Sequence, residues 1–108
     1  MPQPIERRTS RRFTMTLPLT VREKRPDGEV ERRGKTRDVS FRGLFFLTDV
    51  DFQIGSSIEC ILTLPREITM AGDVHIRCFA EVVRVEPYED QRGIAARIDR
   101  YEFLPAPV

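Results

Sequence analysis

Between Phe13 and Val21 the apolar residues Phe13, Met15, Leu17, Leu19 and Val21 take every odd position, while threonines and one proline fill the even ones. A side-chain period of two belongs to a half-buried strand, whose successive residues face opposite sides of a sheet. The same alternation returns at Ile58, Cys60, Leu62 and Leu64, and again at Val74, Ile76, Cys78, Ala80 and Val82. No stretch carries a helical period long enough to serve as the crossover between parallel strands. The chain is thereby confined to antiparallel strands joined by hairpins and loops.

The punctuation between strands sharpens this. "RPDGE", Arg25 to Glu29, places Pro and Asp-Gly as a tight turn does, so the first strand returns as a second through Val30 to Val39. Pro18 lacks a backbone donor and marks either a sheet edge or a local bulge. "DVSFRG", Asp38 to Gly43, reverses the chain, since Asp and Ser side chains bond nearby amides and Gly43 is free to take positive φ. Leu44 to Thr48 makes the third strand, a loop with a partly buried Phe52 follows, and the fourth strand ends at Pro65. The fifth runs from Val74 to Val85, where Val83 and Val85 break the even-numbered phase, which a bulge near Val82 would explain. After "EPYEDQRG" the last strand carries Ile94, Ala96 and Ile98 inward. These six strands point to an all-β fold, a six-stranded antiparallel β-barrel, whose closure removes exposed edges. A chain of 108 residues, 40% hydrophobic and 32% charged, suits one globular domain. We read residues 13–104 as the barrel and 1–12 as a flexible basic arm.

Charge is unevenly spread. Through Gly43 there are twelve Lys or Arg against six Asp or Glu, a balance of +6, and after it six against eleven, −5, which together give the net +1. A basic front half points to an anionic partner. The arm holds Arg7, Arg8, Arg11 and Arg12 in "ERRTSRRF", and arginine's planar fork grips phosphate and guanine edges bidentately. Other chemistry has little to stand on. Two separated cysteines and the single His75 do not make a zinc set, and Cys60 and Cys78 read as reduced, buried thiols. No nucleophile with its base, carboxylate pair, P-loop or dinucleotide fingerprint appears, so no enzymatic activity, metal or cofactor is expected. No apolar run reaches the length of a membrane span, and "MPQPIERR" lacks the apolar stretch of a secretory signal, so a cytoplasmic location is expected.

"RTSRR", Arg8 to Arg12, satisfies RxxxR, and "DVSFRG" satisfies [DN]xSxxG; this ordered pair, bracketing one hairpin, resembles the PilZ domain family. "TLPLTV" after Arg12 is similar to that family's first strand, "EVVRV" (Glu81 to Val85) to its penultimate strand and "RGIAARI" (Arg92 to Ile98) to its last. The resemblance implies a six-stranded barrel that binds the bacterial second messenger cyclic di-GMP, with Arg8 and Arg12 on phosphates and guanine Hoogsteen edges and Arg7 assisting a phosphate. It also implies Asp38, Ser40 and Gly43 as the barrel-surface half of the site, the Asp38 carboxylate accepting from the guanine N1–H and N2–H edge. Arg7 and Arg11 stand at RxxxR spacing too; the Arg8 and Arg12 register matches the family's distance to Leu17. Arg84 lies where the family often places a stacking side chain. Many members continue into a C-terminal helix, whereas this sequence reads "EFLPAPV" there. The expectation is a receptor that changes arm conformation on binding cyclic di-GMP and signals to a protein partner. Two other readings stand beside it: a PilZ-like adaptor acting through protein contacts without nucleotide, and a small basic barrel that binds nucleic acid.

Overall fold

The alternating segments become one antiparallel sheet that closes on itself in the computed structural model, which describes residues 13–40 and 42–104. The strands are β1 (Phe13–Thr14), β2 (Pro18–Arg25), β3 (Gly28–Val39), β4 (Gly43–Thr48), β5 (Ser57–Leu64), β6 (Val74–Tyr88) and β7 (Gln91–Leu104). Their order is β1-β3-β2-β5-β6-β7-β4, and β4 also pairs with β3. Because β3 bonds β2 along one side and β4 along the other, the six long strands form a closed barrel, as the alternation implies. A single helical turn, α1 (Arg66–Thr69), lies within the β5–β6 connection that reads as a plain loop in sequence.

β1 is the beginning of the same run as β2, interrupted over residues 15–17, just before Pro18. The irregularity expected at Pro18 is therefore present. It is not a sheet edge, because β2 lies between β3 and β5. Thr36, wholly buried, closes the gap with its side chain: its Oγ1 accepts from the Leu17 amide at 2.9 Å and donates to the Met15 carbonyl at 2.7 Å. Two backbone bonds flank it, Met15 N–H to Arg37 O at 2.9 Å and Thr36 N–H to Leu17 O at 3.0 Å. One hydroxyl thus satisfies two main-chain groups that the missing ladder leaves behind.

The barrel interior is filled by inward residues of every long strand, with Val21, Phe46, Cys60, Val82 and Ile94 fully enclosed. Phe52, read as partly buried, is a core residue, packed edge-on to Phe46 at 6.5 Å between ring centroids. Cys60 and Cys78 sit directly opposite each other on β5 and β6 as buried free thiols. Burial pushes both thiols up, Cys78 to about 11.

On the outside of β3, β2, β5, β6 and β7, opposite charges alternate in a band. Arg22 reaches Glu31 at 2.6 Å and Glu59 at 3.5 Å, and Arg77 reaches Glu59 at 3.6 Å and Glu102 at 3.0 Å. The last strand extends well past Ile98, the last inward residue named from the sequence, to Leu104. β4 leaves β7 at the Gly43–Arg97 pair, whereas β6 accompanies β7 as far as His75 opposite Leu104. No helix among the described residues is long and apolar enough to cross a membrane.

Replacing Thr36 by the near-isosteric Val leaves both Met15 O and Leu17 N buried without that partner, which costs about 1–3 kcal/mol. Urea unfolding should show a lower midpoint with an unchanged m-value. Stability should also fall as pH rises past the ordinary thiol value of 9.0. Unfolded thiols ionise there while the folded ones hold their protons, so the unfolded state binds fewer protons and is favoured. A Cys60→Ala, Cys78→Ala double variant should flatten the alkaline limb of stability against pH.

Candidate functional site

In a regular strand, residues 36 and 38 share a face. Thr36 stands opposite Phe46 on β4, but the next pairs are Asp38 with Phe45 and Val39 with Leu44, so the ladder skips Arg37. Thr36 and Val39 both stay with the core, and Arg37 and Asp38 together face outward. β6 does the same across the sheet: Val82 pairs with Ala96 and Arg84 with Ala95, leaving Val83 out of the ladder. This is the bulge that the phase break near Val82 requires. The slip on β3 has no counterpart in the sequence pattern, because β3 carries too few apolar residues to define a phase.

The two slips put Asp38, Phe45, Ala95 and Arg84 into one cross-strand row on the outside of β3, β4, β7 and β6. An open cleft of about 650 Å³ lies over this row, bordered by Ser40, Arg42 and Gly43 at one margin and by Val83, Glu86 and Arg97 at the other. That volume falls within the range of small-molecule sites.

The Asp38 margin is built by the turn before β4. The Ser40 amide donates to Gly43 O at 2.9 Å, and Ser40 Oγ accepts from the amides of Arg42 and Gly43, each at 3.2 Å. Arg42 O in turn accepts from the Ile98 amide at 2.8 Å, which ties the turn to β7. The glycine requirement is real but differs from the one read in the sequence. Gly43 does not take positive φ, which among the described glycines is confined to Gly28 and Gly55. A Cβ on Gly43 would instead lie 2.8 Å from the Ala96 carbonyl oxygen, so close approach of β4 to β7 is what excludes a side chain.

The floor and opposite margin combine aromatic faces with guanidinium groups. The Arg84 guanidinium lies 5.9 Å from the Phe45 ring centroid and its Nε 3.2 Å from Glu86. Phe45 meets Tyr88 edge-on at 6.5 Å, and Arg37 lies 5.3 Å from the Tyr88 centroid while donating to its hydroxyl. Phe45 occupies the space over Gly93, where a Cβ would be 2.5 Å from its Cζ. Arg97 is held by Glu81 at 2.8 Å and Asp99 at 3.4 Å. The cleft thus offers a carboxylate and a tight turn on one side and cation-bearing flat surfaces on the other, a setting for a ligand with both polar edges and planar faces.

Asp38, Ser40 and Gly43 come together at one margin of the cleft, and Arg84 lies at the other. Arg7, Arg8 and Arg12 lie outside the described residues. The strand that follows them does not: Phe13 pairs with Val39 and Thr14 with Asp38, so the chain enters the barrel beside that carboxylate. Phe45, Glu86, Tyr88 and Arg97 were not singled out in the sequence. Only Phe45 leaves a signal, as the outward member of the alternation Leu44, Phe45, Phe46. His75, which was not expected to bind metal, has its Nδ1 at 3.1 Å from the Thr63 hydroxyl. Among the described residues no group of three or more His, Cys, Asp or Glu side chains is placed to hold a metal ion.

The PilZ domain family model matches residues 6–105. No curated protein sequence matches the chain. Among solved structures, the Bacillus subtilis inhibitor of motility (MotI/DgrA) is 24% identical with a TM-score of 0.69, over 89% of this chain and 44% of that one. The PilZ domain of CeSA from a cellulose-synthesizing bacterium is 19% identical with a TM-score of 0.53, over 81% and 79% of the two chains. The K. pneumonia MrkH-c-di-GMP complex is 15% identical with a TM-score of 0.53, over 89% of this chain and 46% of that one. The chain therefore spans less than half the length of the first of these, and at these identities the likeness is one of fold.

Gly43→Ala should cost about 1–3 kcal/mol through overpacking against the β7 backbone. Amide exchange at Ile98, whose N–H bonds Arg42 O, should quicken along with the loss of stability.

Proposed function

Because the chain belongs to the PilZ domain family, we propose that it is a non-catalytic receptor for cyclic di-GMP, and that its cleft takes the ligand between the Asp38 turn and arginines of the N-terminal segment. The observation that carries this reading is the register of β1. Thr14 lies opposite Asp38, so the sequence that bears Arg7, Arg8 and Arg12 leads directly into the margin formed by Asp38, Ser40 and Gly43. This supports a reading in which both halves of the paired motif act at one end of the cleft.

The chemistry matches the ligand. Guanine presents N7 and O6 as an acceptor pair that a guanidinium fork meets bidentately, and its N1–H and N2–H edge is a donor pair that a carboxylate meets. The two phosphates call for fixed cations, which Arg8 and Arg12 supply, with Arg7 assisting. Ser40, already committed to the turn, shapes the backbone beside Asp38, and Gly43 keeps that margin free of a side chain. Arg84, lying beside Phe45, is positioned to stack on a purine face. One of the structural neighbours is itself a complex with cyclic di-GMP. No cofactor is needed for such a role. Residues 1–12 rearrange around the bound ligand, and the altered surface is read by a protein partner in the bacterial cytoplasm. An adaptor that has no use for nucleotide would be free to lose the arginines and Asp38, and this chain keeps all of them.

Titration calorimetry with cyclic di-GMP tests the proposal. Arg12→Ala and Asp38→Ala should each weaken binding about 10- to 150-fold, the loss expected for hydrogen bonds to a charged group, while thermal unfolding stays cooperative. The absence of heat with the unmodified chain would overturn it in favour of the adaptor reading. Binding of single-stranded RNA with a steep salt slope and indifference to Asp38→Ala would favour the nucleic-acid reading.

A further inference from the structure

Among the described residues, the last stretch of β7 runs beyond the closed part of the barrel. Beyond the Gly43–Arg97 pair, β7 continues to Leu104 with β6 on one side, and among the described residues no strand pairs with its other side. Such an edge is a template for another strand unless it is blunted. The bulge between the Ala80–Ile98 and Phe79–Arg100 pairs separates this segment from the barrel proper.

Its side chains are distributed unequally between the two faces. Tyr101 and Phe103 share one face, in edge-on contact at 6.0 Å, and are 42% and 65% exposed. Arg100 and Glu102 share the other, and both are drawn back onto β6. The Arg100 guanidinium lies 4.1 Å from the Phe79 ring centroid, and Glu102 accepts from Arg77 at 3.0 Å. Neither charge is therefore directed over the edge backbone. Glu102 keeps capacity for a second cation, and Arg100 has no carboxylate partner among the described residues.

We propose that this edge of β7 is a self-association surface, where a second copy of the chain pairs antiparallel across a two-fold axis at Tyr101. The argument for a second copy is that the segment is complementary to itself in this register. With Tyr101 on the axis, Arg100 of each copy stands opposite Glu102 of the other, twice over. The rings of Tyr101 and Phe103 from both copies make one continuous run on the opposite face. Shifting the axis to Glu102 keeps ring contacts but sets like charges against each other, so the pairing has a defined register. The product is a continuous sheet through β5, β6 and β7 of both copies, and it leaves both clefts on the barrel surface. The surface does not depend on the nucleotide proposal.

Sedimentation velocity over a concentration series tests this on the full chain. The unmodified protein should show a concentration-dependent monomer–dimer equilibrium. Arg100→Glu and Glu102→Arg should each raise the dissociation constant about tenfold or more, because each sets like charges opposite one another at two places. An equimolar mixture of the two variants should restore association, since each copy then supplies the charge the other lacks. Phe103→Asp, a change at an exposed side chain that does not disturb Arg77, should also weaken the dimer. A protein monomeric at every concentration would overturn the proposal. So would a dimer unaffected by Arg100→Glu and Phe103→Asp, or folded single variants whose mixture does not associate.

Discussion

An antiparallel strand turns alternate residues to opposite faces, and the cleft exists because two strands break that rule at matching places. The extra residues at Arg37 and Val83 let the inward phase resume at Val39 and Val85, so the core stays filled. At each slip two consecutive residues face outward instead of one. Without the slip on β3, Asp38 would share the face of Thr36 and point into the barrel, where an isolated carboxylate costs several kcal/mol to bury. Without the slip on β6, Arg84 would keep company with Val82. The functional polarity of the outer surface and the apolar continuity of the core are thus two consequences of one backbone irregularity, repeated.

The legibility of the sequence follows the density of apolar residues. β2, β5 and the first half of β6 carry regular alternation, and their faces, turns and burial could be read directly. The slip at Val83 was legible because Val82 and Val85 are both apolar and three apart. The slip at Arg37 was not, since "ERRGKTRDV" offers only Thr36 and Val39 as inward residues. "RYEFL" does alternate, but in a phase displaced from that of Ile94, Ala96 and Ile98 by the bulge at Asp99, so it looked like the end of the strand. At the site, Asp38, Ser40 and Gly43 were recoverable from one short motif. The cleft's other wall was not, because Phe45, Glu86 and Arg97 come from separate strands and meet only through register. At Gly43 the physical reason differs from the one the sequence suggests: its lack of a Cβ matters through proximity to Ala96, not through its φ angle.

The two charged surfaces of the barrel are organised differently. In the band from Glu31 to Glu102, carboxylates and guanidinium groups alternate strand by strand, so most charge is neutralised locally. Even there the match is incomplete: Arg77 Nε is buried and stands 3.6 Å from Glu59, beyond hydrogen-bonding distance. Exposed pairs of this kind contribute little each, and they weaken as salt is added. Around the cleft there are ion pairs too, Arg84 Nε with Glu86 among them, but Arg37 and Arg84 also lie against aromatic rings. A guanidinium on a ring keeps hydrogen-bonding edges that a bidentate carboxylate would occupy, which leaves this side of the barrel receptive to an anion.

Thr36 fastens the strandless residues 15–17 to β3, and β1 holds Thr14 opposite Asp38. Arg12 precedes Thr14 by only two residues in the sequence, and so short a stretch of chain has a bounded reach. Under the receptor proposal, a ligand already at Asp38 would meet that arginine in an intramolecular event, governed by an effective concentration and not by the amount of protein in solution. Short tethers of this kind give effective concentrations in the millimolar range or above. Under the receptor proposal, a hydroxyl in the barrel wall that touches no ligand would help set how often the second half of the grip is within range, and loosening it would dilute the arginine without altering a single contact in the cleft.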